Sequence, residues 1–212
     1  MRQDHSDERA TTSRRRVLAA QNVSRMCLVC GSENAFGLHG RFYVLEPGAE
    51  AGGRPDAETA SHGADASPAG RDAPGPAELL GVFTPRDEHQ SYPGRLHGGI
   101  AAAALDETIG RAIIVAHPEI AGGEVWGVTV ELTVRFRQPL PLDRELRVLG
   151  RITRDGSRIF EGSGEILLDD GSVAVEARGK YLKMRLEDIA PEGMDEREWF
   201  ADERRHPDWI DV

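Results

Sequence analysis

The chain contains 212 residues, of which 39% are hydrophobic and 29% are charged, and its formal net charge at pH 7 is −10. This acidic balance, with a pI of about 5.2, argues against a general nucleic-acid binder. No apolar run approaches the ~18–20 residues that span a bilayer, so neither a membrane protein nor a membrane partner is expected. Two cysteines are too few for a disulfide-stapled scaffold and indicate a reducing, cytoplasmic location.

Residues 1–26 are predicted to form a flexible N-terminal segment. The run from Ser13 to Leu18 superficially resembles a twin-arginine export signal, but Gln21 and Asn22 follow where such a signal requires apolar residues. We therefore expect a solvated tail or a short helix there.

Two further segments have compositions that are unusual for a packed core. In residues 46–78, alanine, glycine and proline make up more than half of the positions, and no large apolar residue occurs. Such a segment cannot bury enough apolar surface to offset its ordering entropy, so a disordered insertion is predicted. Residues 185–212 form an acidic C-terminal tail in which Trp199, Phe200 and Trp209 are candidate docking anchors.

Seven periodic segments lie between these regions. An alanine-rich apolar stretch predicts a helix over residues 96–116, and residues 126–136 alternate apolar and polar side chains like a half-buried strand. Further strands are predicted over residues 38–45, 79–84, 146–153, 159–168 and 173–184. This order predicts an α+β domain over residues 27–184, with a mostly antiparallel sheet.

The predicted helix is too apolar for a surface position. Four consecutive alanines, Ala101 to Ala104, precede Leu105, and Ile109 and Ile113 follow. Small side chains allow a curved sheet to approach the helix on several sides. We therefore predict a hotdog fold, in which a curved antiparallel sheet wraps one long central helix.

The start of the helix is a first candidate site, because it contains the sequence His97-Gly98-Gly99 and glycines are poor helix formers. The first N–H groups of a helix lack partners and lie at the positive end of its dipole. A bare glycine lets a carbonyl oxygen approach them, which would make an oxyanion-type site for a thioester. Tight packing or simple helix-entry geometry is the alternative explanation.

Asp106 is a second candidate, because it is a carboxylate within an otherwise apolar helix. It follows Gly99 by seven residues, which places the two on one helix face but ~10 Å apart. That separation is too long for both to act on one carbonyl within a subunit. If both are catalytic, they serve different sites or a second subunit brings its Asp106 to this glycine, and the spacing thus suggests a dimer with shared active sites. Glu107 is the less favoured acid, and a satisfied polar group at a dimer seam is the alternative for Asp106.

Three segments together resemble one protein family. Residues 92–110 contain the His-Gly-Gly motif and the acid, residues 128–141 end in Pro-Leu-Pro, and residues 27–38 contain a Cys-x-x-Cys-Gly motif. In combination they resemble the hotdog acyl-CoA thioesterases, namely the phenylacetyl-CoA (PaaI-like) branch and the related mitochondrial acyl-CoA thioesterases.

The resemblance implies catalytic roles for four residues. Gly99 would supply the N–H group that polarises the thioester carbonyl, and Asp106 of the opposing protomer would act as general base or nucleophile. His97 would orient the substrate or assist near the sulfur atom. Thr129 would help to position water.

The substrate-binding residues are specified less sharply. Ser91 stands where several family members carry asparagine, and His89 and Gln90 are nearby polar substitutes. Arginines on the long strand could contact coenzyme A phosphates, although a solvated strand face explains each of them as well. The full candidate set is Ser91, Gly98, Glu107, Arg135 and Arg137.

Cys27 and Cys30 suggest a zinc site together with His39. Structural zinc takes four ligands, however, and no second close pair of cysteines or histidines is present in the sequence. We therefore expect ordinary thiols and no metal or other cofactor.

The function implied by the resemblance is hydrolysis of an acyl-CoA thioester to the free acid and coenzyme A, by a homodimer, with a tetramer left open. The leaving thiol is already acidic, so one carboxylate and one N–H donor suffice. Two alternatives stay open. They are a non-catalytic acyl-CoA-binding hotdog protein and a hydratase or dehydratase on the same fold.

Overall fold

The computed structural model describes residues 13–47, 78–120, 125–190 and 198–212. The predicted disordered insertion therefore lies outside the described residues except at its edges, and so does the beginning of the predicted N-terminal segment. The described residues form one long helix and a large antiparallel sheet, as the α+β prediction requires.

Eight strands form the main sheet, and every pairing between neighbours is antiparallel. In chain order the strands of the molecule are β1 (Arg14–Ala20), β2 (Val23–Ser24), β3 (Arg41–Leu45), β4 (Leu79–Phe83), β5 (Val125–Phe136), β6 (Leu146–Asp155), β7 (Ile159–Leu167), β8 (Val173–Arg185), β9 (Trp199–Phe200) and β10 (Trp209–Asp211). The order across the sheet is β10-β1-β3-β4-β6-β7-β8-β5, while β2 and β9 pair separately.

Helix α1 (Gly98–Ala116) lies across one face of this sheet, and a short helix α2 (Leu186–Ile189) follows β8. Leu105 and Ile109 of α1 are completely buried in the main core cluster. The opposite face of the sheet carries a second cluster around Tyr43 and Leu80, which β1 and β10 cover. Within the described residues, no helix is long and apolar enough to cross a membrane.

Glycines in the sheet bring α1 unusually close to the strands. A Cβ atom at Gly150 would lie 2.9 Å from the Thr108 carbonyl oxygen, and one at Gly162 would lie 2.5 Å from Ile109 Cγ2. Both distances are shorter than van der Waals contact, so the strands can approach the helix only because these positions lack side chains. Small residues thus allow the sheet to approach the helix closely, as predicted. They lie not only on α1 but also on β6 and β7, at Gly150 and Gly162.

The structure corrects the expectation at the N-terminus. A solvated tail or short helix was expected around residues 13–18, whereas Arg14–Ala20 is a strand that pairs with β3 and β10. Val17 is buried against the second cluster, and Arg15 forms an ion pair with Glu78. The arginine-rich composition therefore gave no sign of a strand, in which Arg15 pairs with an acid distant in sequence.

The six predicted strands and the helix are confirmed, with ends shifted by a few residues. The half-buried character expected of residues 126–136 is only partly present in the single chain. Strand β5 lies at the edge of the sheet, and Val130 and Phe136 on it are 61% and 54% exposed.

Gly162→Ala is expected to destabilise the fold by about 1–3 kcal/mol, because the new methyl group would collide with Ile109 and with the Arg151 carbonyl oxygen. Gly110→Ala is the matched control. Its Cβ would make an ordinary 3.4 Å contact with Tyr181, and alanine favours a helix over glycine. Urea unfolding followed by circular dichroism measures both, and equal midpoints would contradict the close-packing account.

Candidate active site at helix α1

The start of α1 is held by its own histidine. His97 is the N-cap residue, and its Nδ1 atom accepts a hydrogen bond of 2.9 Å from the Gly99 N–H group. Backbone contacts fix the preceding loop, because Gln90 bridges to Leu96 and the Leu96 N–H donates to the Leu140 carbonyl. The N–H group assigned to the thioester carbonyl is therefore already paired in this structure.

The two glycines of the motif have different surroundings. A Cβ atom at Gly98 would lie 3.3 Å from the ring of Phe136 at the end of β5. One at Gly99 would lie 3.1 Å from the ring of His97, which is an exposed residue. Packing against Phe136 thus explains why residue 98 is a glycine. At Gly99, the lack of a side chain leaves the backbone N–H group accessible to any ligand that displaces the His97 ring.

Asp106 lies two turns further along α1 and is held by two hydroxyl groups. Thr129 Oγ1 on β5 lies 2.9 and 3.1 Å from the two carboxylate oxygens, and the Tyr181 hydroxyl on β8 lies 3.1 Å from Oδ1. Partial burial raises the pKa of Asp106 above its usual range, while the two hydroxyl donors act to lower it. The structure therefore brings together two of the predicted site residues, Asp106 and Thr129.

Tyr181 is a site residue that sequence reasoning missed. It is buried, its ring stacks on Phe160 with centroids 5.0 Å apart, and burial next to Asp106 raises its hydroxyl pKa. It donates to both the side chain and the backbone carbonyl of Asp106. In the sequence it is an ordinary aromatic residue on a strand, and only the pairing of β8 with β5 places it here.

A small cavity of about 80 Å³ opens beside the carboxylate. Gly110 and Gly127 line this space, and Ile114 and Trp126 form part of its apolar wall. The volume holds a few water molecules but no acyl chain. A carboxylate beside a water-sized space can act on water, which is the chemistry that a hydrolytic general base performs.

A larger cavity of about 600 Å³ lies elsewhere, lined by residues of β3, β4, β6 and β10 and of the segments next to them. Arg41, Arg147 and Trp209 are among its lining residues, and α1 contributes none. Because neither the helix start nor Asp106 reaches it, we assign no part of the candidate chemistry to this cavity.

Glu107 lines the same small cavity as Asp106, but its carboxylate pairs with Arg111. Arg111 Nε lies 2.7 Å from the Glu107 carboxylate, and the guanidinium group lies between the rings of Phe42 and Trp199, at 4.3 and 4.7 Å. Arg111 is only 5% exposed and also donates to the Asn22 carbonyl. Glu107, predicted to bind substrate, is thus held by a buried cation that the sequence analysis did not single out.

The remaining candidates are dispersed. Arg137 forms a two-pronged ion pair with Glu176, and Arg135 lies 3.9 Å from the same carboxylate with most of its side chain in solvent. Ser91 is exposed in the loop before α1. His89 is buried with both ring nitrogens bonded to backbone groups, so it serves the loop rather than an open site.

The suggested zinc site with His39 is not formed. His39 Nε2 contacts the Asn34 carbonyl at 2.7 Å. Among the described residues, the group of potential metal ligands that lie together consists of Cys27, Cys30 and Glu107.

Residues 93–175 match the model of the thioesterase superfamily. Over 107 residues the chain is 25% identical to the acyl-coenzyme A thioesterase THEM4 of Xenopus laevis, a match that covers 50% of this chain and 45% of that protein. The identity to THEM4 of Bos taurus is 27% over 96 residues, which cover 45% of this chain and 36% of that protein. The chain thus spans less than half the length of the curated relatives it matches.

One crystal structure of a thioesterase superfamily protein is similar with a TM-score of 0.51 at 24% identity, covering 76% of this chain and 61% of that one. This likeness, with the single long helix on a large antiparallel sheet, shows the hotdog fold. The resemblance to the hotdog thioesterase superfamily that the motifs indicate is confirmed.

Tyr181→Phe and Thr129→Val are each expected to raise the pKa of Asp106, because each removes a hydroxyl donor that stabilises the carboxylate. Carbon-13 NMR titration of the aspartate carboxyl groups measures this without any activity assay. Tyr43→Phe, on the opposite face of the sheet, is the control and should leave that pKa unchanged. A pKa of Asp106 that stays constant or falls in Tyr181→Phe would contradict the assignment of these donors.

Proposed function

We propose that this chain, whose residues 93–175 carry the thioesterase superfamily match, hydrolyses an acyl-coenzyme A thioester to the free acid and coenzyme A. The observation that carries the proposal is the Asp106 carboxylate. It is partly buried, hydrogen-bonded by Thr129 and Tyr181, and open to a water-sized cavity. The similarity to acyl-coenzyme A thioesterases supports the substrate class.

The reaction requires attack of an oxygen on the thioester carbonyl carbon and cleavage of the carbon–sulfur bond. As a general base, Asp106 takes a proton from water, and that proton can pass to the departing thiolate. As a nucleophile, it forms an acyl anhydride that water then hydrolyses. In both routes the ionised carboxylate is the active form. Because the pKa of Asp106 is raised, we expect the activity to be lost on acidification at a higher pH than it would be with an exposed aspartate.

The Gly99 N–H group remains the proposed donor to the thioester carbonyl. In the structure it donates to His97, so an incoming carbonyl oxygen must displace the imidazole. The exposed ring can rotate away at little cost. When no substrate is present, the ring accepts the hydrogen bond of the Gly99 N–H group, so this group at the helix start always has a partner. His97 would then lie next to the thioester, in agreement with its proposed orienting role.

We further propose that two copies pair through strand β5, so that the active site is shared. The outer edge of β5 has no strand partner among the described residues. Within one chain, Thr129 lies next to Asp106 near the middle of β5, and Phe136 at its end covers Gly98. The register we propose for this two-fold antiparallel pairing sets the Thr129 region of one chain opposite the Phe136 end of the other. Asp106 thereby approaches the helix start of the partner.

The coenzyme A portion would bind near the same end of β5. Arg135 carries a largely exposed guanidinium group, and Arg137 shares the Glu176 carboxylate with it. Planar guanidinium groups bind phosphates well, which supports Arg135 and Arg137 as phosphate contacts. Ser91, Gly98 and Glu107 stay proposed substrate contacts.

A non-catalytic acyl-CoA binder is a second candidate, and the occupied Gly99 N–H group favours it. Release of free coenzyme A from acyl-CoA substrates of short, aromatic and long acyl chains separates the two functions. A protein that binds these substrates without releasing thiol would be a binder.

Asp106→Asn is expected to lower kcat by about 100-fold or more, because it removes the base or nucleophile while keeping the size of the side chain. Asp169→Asn is the control, since Asp169 forms an exposed ion pair with Arg144 outside the site. Thiol release measured with a chromogenic disulfide reports both rates. Full activity in Asp106→Asn would exclude the mechanism.

Mixing two inactive variants tests the shared site. Gly99→Pro removes the N–H donor at a position in the first helical turn, where proline is tolerated. If Gly99 and Asp106 act from different subunits, a heterodimer of Gly99→Pro and Asp106→Asn chains contains one intact site, and the mixture recovers activity. If both act within one chain, no site is intact and the mixture stays inactive.

A further inference from the structure

Cys27 and Cys30 are brought together by a tight turn in front of β3. The Gly31 N–H group donates to the Cys27 carbonyl over 2.9 Å, and a side chain at Gly31 would collide with that carbonyl. The two sulfur atoms lie within 4.8 Å of each other. The proposed hydrolysis uses neither thiol.

The two cysteines differ in accessibility. Cys30 is 1% exposed, whereas Cys27 is only half-buried. Cys27 is therefore partly accessible from solution, whereas Cys30 is not. This asymmetry distinguishes the pair from two ordinary core thiols.

The hydrogen bonds around the pair also favour charge on one sulfur. The Cys30 thiol donates to the Cys27 sulfur, and this bond is the main reason why the pKa of Cys27 is lowered to about 6. The same bond, followed by burial, raises the pKa of Cys30. The Val29 N–H group, 3.3 Å from Cys27 Sγ, adds a second donor. The Arg111 guanidinium group, 3.0 Å from Cys30 Sγ, acts in the opposite direction on Cys30, but the bond to Cys27 and burial outweigh it, so the net effect favours a thiolate at Cys27.

A metal ion fits this site poorly, although Glu107 lies within reach of both sulfurs. Arg111 donates to Cys30 Sγ over 3.0 Å and to the Glu107 carboxylate over 2.7 Å, so its guanidinium group already supplies the positive charge. Arg111 is buried and held between two aromatic rings, so it cannot leave easily. A cation bound by these ligands would lie against a fixed positive charge.

We propose that Cys27 and Cys30 form a redox-active dithiol site that exchanges with low-molecular-weight disulfides. The Cys27 thiolate attacks one sulfur of such a disulfide and forms a mixed disulfide, and one small thiolate leaves. Cys30 then gives its proton to that thiolate and attacks Cys27 Sγ, which releases the second small thiolate. Overall the two cysteines lose two electrons and form one internal disulfide. The small disulfide is reduced to one thiol and one thiolate, and the thiolate can take from solvent the proton that Cys27 had released on ionisation.

The first test uses the full chain and glutathione, because these two residues are the only cysteines in the sequence. Incubation with oxidised glutathione should yield a protein lighter by two hydrogen atoms, with Cys27 and Cys30 joined in one peptide on mass spectrometry. Excess reduced glutathione should reverse the change. A protein that keeps two free thiols, or that carries glutathione on both cysteines, would overturn the proposal.

Two matched variants assign the roles. Cys30→Ser should accumulate a stable mixed disulfide with glutathione on Cys27, because the resolving thiol is missing. Cys27→Ser should react at least ten-fold more slowly, because the remaining thiol is buried. Equal rates for the two variants would contradict the assignment.

Alkylation of the unmodified wild-type chain with iodoacetamide provides a measurement that does not depend on the variants. Cys27 should be modified first, with a rate that reaches half its maximum near pH 6. The titratable and charged groups that face it are Cys30, Glu107 and Arg111. One equivalent of zinc bound to the purified protein, with both thiols protected, would instead identify a metal site and end the redox proposal.

Discussion

The close packing of α1 against the sheet is the constraint on which the other features of the molecule depend. Thr108 and Ile109 touch strands at positions where Gly150 and Gly162 leave no side chain. This contact fixes both the height and the rotation of the helix above the sheet. Asp106 is then directed toward β5 and β8, so the packing of the helix also sets the geometry of the candidate site.

Two adjacent acids on α1 take up different chemical environments as a result. Asp106 faces the hydroxyl groups of Thr129 and Tyr181, whereas Glu107, about 100° further round the helix, faces Arg111 and the cysteine turn. The first acid has neutral donors and adjoining space, which suits proton transfer. The second is neutralised by a buried cation, which suits a structural bond. Two carboxylates of nearly identical chemistry thus have different roles because neighbouring residues of a helix point in different directions.

Much of the fold could be predicted from sequence, because the helix and six strands each carry a hydrophobic pattern within a short window. Asp106 could be found for a related reason, since a carboxylate in an apolar helix violates that pattern. Tyr181 and Arg111 could not, because their importance comes from partners on other elements. Strand β1 was missed for the same reason, as the partners of its arginines are distant in sequence. The hydrogen bond from Gly99 to His97 depends on a side-chain rotamer, which no sequence pattern specifies.

The pairing of β1 with β10 has a consequence for the connectivity of the chain. The backbone groups of Ser13 and Val212 donate to each other, over 2.8 and 2.9 Å, so these two positions are neighbours in space. In a chain trimmed to residues 13–212, a short linker from Val212 to Ser13 would close the backbone into a ring without moving any strand. The ring could then be opened in the connection between β3 and β4 to give a circular permutant with the same strand order across the sheet. In such a permutant the helix and the cysteine turn would exchange their order along the chain while keeping their neighbours in space.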